Sequence, residues 1–75
     1  MSEEKQFLTD QLEWVMKQDD IYGQIEQKLH EMKAIAEYCA VPEVSDLERQ
    51  ELQLEIGKLK EEIFALEQEL GTFHH

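Results

Sequence analysis

The chain has 75 residues, 18 of them acidic and 7 basic, for a net charge of −11. That surplus of carboxylates argues against binding nucleic acid or an anionic membrane surface, both of which reward clustered Lys and Arg. So short a chain buries little of its own surface, and its single cysteine, Cys39, excludes a disulfide framework and a paired Cys/His zinc site.

Stability must then come from helix packing and association. One unpaired thiol suits a reducing compartment, so a cytoplasmic location is expected. The first ten residues are polar and acidic, unlike a secretory leader, and no apolar run approaches transmembrane length.

Residues 3–39 contain no proline and read as one long helix. Ser2 is placed to cap it, and Glu3 and Glu4 sit where the helix dipole favours negative charge. Leu8, Val15, Tyr22, Leu29 and Ala36 recur every seven residues, joined from the middle onward by Ile25, Met32 and Cys39. One position earlier stand Phe7, Trp14, Ile21, Lys28 and Ile35. The apolar face is therefore three positions wide per heptad, the width of a helix packed in a bundle. Lys17-Gln18-Asp19-Asp20 and Gly23 form its weak place, where Asp20 could cap a new helix. Because the seven-residue phase crosses this place unshifted, one continuous helix is expected; a break near Asp19-Asp20, giving a three-helix monomer, is the alternative.

Pro42 ends the first helix and holds Val41 extended. Ser45 with Glu48 three residues on forms a capping box, and a second helix over about 46–70 follows, with Gly71 placed to end it in a left-handed conformation. Its seam is Leu52, Ile56, Leu59, Ile63, Leu66, Leu70 and Phe73, in steps of four and three. So short a connection returns the second helix antiparallel beside the first. The predicted fold is all-α: an antiparallel helical hairpin in a single domain, dimerising into a four-helix bundle. Its seam is expected to join Ile25, Leu29 and Met32 to the apolar row of the second helix.

The arms are unequal, so the second helix covers the first only back to about Trp14. Phe7, Leu8 and Leu12 are left over, and with Trp14, Val15 and Tyr22 they are the expected surface for self-association or partner binding. Glu48, Glu55, Glu62 and Glu69 line one flank of the second seam. Like charges make that helix a poor zipper with itself, and Lys28 and Lys33 of the first helix are better neighbours. Leu47, Leu54 and Phe64 lie on its opposite side as a possible second contact face.

Chemistry-bearing motifs are few. His30 lies four residues from Glu26, but no further ligand stands at helical spacing, and His74 and His75 are adjacent at the chain end. Cys39 closes the apolar repeat of the first helix and reads as core. Carboxylates abound, but a two-helix chain has no evident cleft to push two of their pKa values apart. No glycine-rich phosphate loop is present. No catalytic residue, metal or cofactor is therefore expected. The expected role is a non-enzymatic regulator or adaptor acting as a hairpin homodimer on another protein, a basic one being suited to the acidic surface. Two alternatives are an acidic inhibitor or antirepressor occupying a basic, DNA-binding surface, and a structural coiled-coil component of an assembly.

Overall fold

A computed structural model of the protein describes residues 2–71. Two helices make up the fold, α1 (Ser2–Cys39) and α2 (Asp46–Gly71), with no strand among the described residues. Tyr38 bonds to Glu48 near the turn and Lys28 bonds to Glu62 further away, so the helices run antiparallel as a hairpin. The molecule is a rod, 65 × 17 × 15 Å.

α1 passes through Asp19, Asp20 and Gly23 without a break. All three are exposed. Asp20 does not cap a new helix: its Oδ2 accepts from Gln24 Nε2 one turn on, at 3.0 Å, a bond that belongs to a continuing helix. Ser2 lies inside the first turn of α1 and not ahead of it.

The connection begins with Ala40 N–H to Glu37 C=O at 3.2 Å and Val41 N–H to Tyr38 C=O at 3.1 Å, a tightening of the last helical turn. Val41 through Val44 then form a β-turn closed by Val44 N–H to Val41 C=O, 3.2 Å. Pro42 holds its second position, where a fixed φ near −65° is preorganised. Half of the expected capping box is made: Ser45 Oγ accepts from Glu48 N–H at 3.1 Å. The Glu48 carboxylate turns instead to the Tyr38 hydroxyl, which donates to Oε1 at 2.9 Å and ties the two helices together. At the other end α2 runs through Gly71, one residue past the expected end at Leu70. Phe73, the last expected seam residue, lies outside the described residues.

The core is a single seam. Ile21, Val44, Leu59, Ile63 and Leu70 are buried, and Ile25, Met32, Ile35, Cys39, Leu52, Ile56 and Leu66 are half-buried. One polar residue, Gln18, is buried with them.

Candidate interaction surface

The inward-facing residues of α1 are Gln18, Ile21, Ile25, Lys28, Met32, Ile35 and Cys39, in steps of three and four. Of the two apolar rows available, α2 thus covers the one containing Ile21 and Ile35. Leu29, expected in the seam, lies outside it and is 52% exposed, as is Tyr22 in the same row. A lysine fills the place that Leu29 was expected to take. The Lys28 stem lies along the seam while its Nζ reaches Glu62 Oε2 at 2.8 Å. That hydrogen bond holds the Lys28 ammonium above the usual lysine range, against partial desolvation, and holds the Glu62 carboxyl below the usual carboxylate range. The row chosen has isoleucine on either side of Lys28, whereas the rejected one ends in Ala36, which has little to bury.

Arg49, the only arginine in the chain, joins the two helix ends. Its Nε donates to the Cys39 carbonyl at 3.1 Å and its Nη2 to the Val44 carbonyl at 3.3 Å; Nη2 also lies 3.5 Å from Val41 C=O, and Nη1 donates to Asp46 Oδ1 at 3.3 Å. The last turn of α1 has no basic residue of its own. A guanidinium from α2 therefore satisfies a terminal carbonyl of α1 and places positive charge at the negative end of its dipole. Sequence reasoning passed over Arg49. Its only signal was a lone arginine one turn past the Ser45 cap.

Toward its N-terminus, α1 outruns α2. Every described residue from 2 to 17 is exposed, and burial begins at Gln18. The step pattern of the seam nevertheless continues backward without a shift, through Trp14, Gln11 and Phe7. Phe7 is 60% exposed and Trp14 41%. Between them is a shallow groove of about 260 Å³, edged by Asp10, Gln11 and Val15. Leu8, Leu12 and Val15 stand exposed beside it, as does Met16, which the heptad reading did not single out. The structure thus brings Phe7, Leu8, Leu12, Trp14 and Val15 onto one projecting arm and places Tyr22 further along, beside the hairpin seam.

No family model, curated protein or solved structure matches this chain.

Leu47, Leu54 and Phe64 are exposed on α2, away from the seam. Gly57 lies between the latter two, and a Cβ built there meets nothing within 4 Å. His30 Nε2 is 3.7 Å from Glu26 Oε1, with both side chains exposed. Among the described residues no three His, Cys, Asp or Glu side chains gather as a metal site would require; His74 and His75 lie outside them. Cys39 is half-buried at the end of the seam. No helix of the described residues is long and apolar enough to cross a membrane.

Proposed function

We propose that this protein is a non-enzymatic interaction module, a small regulator or adaptor whose working form is a homodimer of helical hairpins. The observation that carries the proposal is the projecting arm of α1, where large apolar side chains continue the seam beyond the reach of the described part of α2. Exposed apolar groups in contiguous rows favour association over solvation. The chemistry of the described residues supports a binding role over a catalytic one. Glu62, whose carboxyl is shifted, is shifted downward by an ion pair, which makes it a poor general acid.

The dimer is proposed as four helices, two from each hairpin, with the apolar rows of the two α1 helices in contact. The outward faces of α2, with Leu47, Leu54 and Phe64, are then left for a protein partner. An acidic inhibitor of a basic surface is the second reading, favoured by the net charge of −11. It stands second because Glu48 and Glu62, two of the four flank glutamates, are bonded to α1 within the hairpin.

Sedimentation equilibrium tests the dimer: twice the chain mass of 8.9 kDa is expected, and a monomer at all concentrations rejects it. Affinity capture from the native host tests the binding role. A partner retained by the wild type and lost with L54E/F64E, whose helicity and dimer mass are unchanged, is the expected result. Equal capture by both proteins rejects the assigned face.

A further inference from the structure

The outward stripe of α2 is self-complementary. Leu47, Gln50, Leu54, Gly57, Glu61 and Phe64 follow one another in steps of three and four, on the side of α2 opposite the hairpin seam. Glu51 and Lys58 border the stripe on one side, and Gln53 and Lys60 on the other; all four are exposed. We infer that this stripe docks antiparallel on the same stripe of a second copy, with Leu47 opposite Phe64 of that copy. The inference rests on the reading above that leaves this face for a protein partner, and it names that partner. The contact joins hairpin dimers and is separate from the one between their α1 helices.

Shape supplies the first reason. Gly57 leaves a notch in the stripe, since a Cβ built there meets nothing within 4 Å. Leu54 stands beside the notch and is 76% exposed. With Leu47 opposite Phe64, Leu54 of each copy falls opposite Gly57 of the other and fills the notch. Between these layers Gln50 meets Glu61, an amide that donates to a carboxylate. The two-fold axis makes each of these contacts twice.

Charge fixes orientation and register. In this alignment Glu51 meets Lys58 of the second copy twice, and Gln53 meets its Lys60 twice. Lys58 also lies one turn from Glu62 on its own helix. There it adds to the lowering of a carboxyl that the bond to Lys28 chiefly holds down. The one unfavourable pair is Asp46 with Glu67, at the outer ends, where Asp46 already has Arg49 at 3.3 Å. Sliding the second copy by one heptad sets Lys58 against Lys58 and Lys60 against Lys60. Sliding it the other way sets Glu51 against Glu51 and carries Phe64 past the start of α2. A parallel arrangement sets Glu61 against Glu61 and Gly57 against Gly57, which leaves the notch empty.

The area is that of a weak contact. Leu47, Leu54 and Phe64 of two copies, each 63–76% exposed, bring together on the order of 700 Å² of apolar surface. The polar border raises the total to roughly 1,000 Å², where specific interfaces begin. Hairpin dimers are therefore expected to join further only at high concentration.

The test uses the full chain at rising concentration. Sedimentation equilibrium should show species heavier than the dimer. E51K and K58E should each weaken them about tenfold, by setting like charges together at both symmetric sites, and E51K/K58E should restore them. G57L, which keeps the helix and closes the notch, should abolish them. In a C39S background, mixed Q50C and E61C chains should form a disulfide that neither forms alone. Heavier species indifferent to the charge swaps, or a dimer that never associates further, overturn the inference and leave the homodimer reading intact. A dimer that is itself lost in E51K and cross-linked through positions 50 and 61 supports the α2 contact and overturns the α1 contact. A monomer at all concentrations overturns both. Capture of a host protein that is lost with L54E/F64E, without self-association above the dimer, gives the face to a different protein and overturns the second copy as its occupant.

Discussion

Replacing Arg49 with alanine tests how the two helices are held at the turn. The side chain makes two well-placed bonds to main-chain carbonyls, Cys39 at 3.1 Å and Val44 at 3.3 Å. The Val41 contact at 3.5 Å is at the limit of a hydrogen bond, and the Asp46 pair at 3.3 Å is local to α2, with an almost fully exposed carboxylate. Charge-assisted bonds contribute about 1.5–3 kcal/mol each when buried. Here the guanidinium is about one-third exposed and water replaces part of what is lost, so about 1 kcal/mol per good bond is the appropriate scale. R49A should therefore cost about 2 kcal/mol, a large share of the roughly 4–11 kcal/mol expected for a chain of this length. At about 4–8 °C per kcal/mol, the melting temperature should fall by about 8–16 °C.

The assay is thermal unfolding followed by circular dichroism at one fixed, low concentration, because self-association would raise the melting temperature by mass action. R49K keeps the charge at the end of α1 but lacks the planar fork that reaches two carbonyls, so it should recover about half of the loss. An R49A protein melting within about 2 °C of wild type would refute the role given to Arg49. R49K melting with the wild type would reduce that role to dipole compensation alone.

Four further outcomes test the packing. Ile21, 3% exposed, should cost about 2–4 kcal/mol as I21A, and L29A less than about 1 kcal/mol; equal costs in denaturant titrations would contradict the observed seam. Gly23 and Gly57 sit inside helices with open space where a Cβ would go, so G23A and G57A should each stabilise by about 0.5–1 kcal/mol, and a loss at either would reveal a close neighbour. The Glu62 carboxyl is held low by Lys28, so its share of stability is present above the ordinary carboxylate range near 4.5 and lost as pH falls through the depressed value. Wild type and E62Q should therefore converge on acidification, and parallel pH profiles would be inconsistent with that ion pair. Gln18 is 6% exposed, with Nε2 buried and lacking a hydrogen-bond acceptor among the described residues, so Q18L should stabilise the hairpin at low concentration by about 1 kcal/mol, and destabilisation would show that the amide has a partner.

The parts of the fold legible in the sequence are those set by period and by local chemistry. The regular row from Leu52 to Leu70 has one apolar stripe and only one way to face inward, and each of its residues is at least half-buried. Pro42 and Ser45 act through their own backbones, and the turn and the cap lie where they place them. α1 was ambiguous because its apolar face is three positions wide. Choosing between Ile21–Lys28–Ile35 and Tyr22–Leu29–Ala36 depends on what the neighbouring helix offers. The decisive feature was Glu62, which makes a lysine acceptable in a seam position that hydrophobicity alone would give to leucine. Glu48 was misjudged for a related reason, and Arg49 was passed over. Glu48 was read against its own helix, where it completes a capping box, but each of the two makes its main contact with α1.

The arm of α1 completes the physical picture. A free peptide of residues 2–17 would be a marginal helix, because nucleation is costly and so few turns do not offset it. Local support within the arm is slight: Glu3 and Glu4 at the positive end of the dipole and a Gln6–Asp10 bond at 2.9 Å, each worth some tenths of a kcal/mol. The Thr9 hydroxyl bonds back to the Lys5 carbonyl at 2.9 Å, which adds nothing to helix stability. The hairpin removes the nucleation cost, since α1 is already helical from Gln18 onward and the arm need only propagate it. Propagation does not account for the apolar content. A solvated extension has no use for Phe7, Leu8 and Leu12 on an otherwise acidic helix, and keeping them in water works against the solubility that the net charge of −11 provides. Those side chains are best explained as the half of an interface that the described part of α2 does not supply.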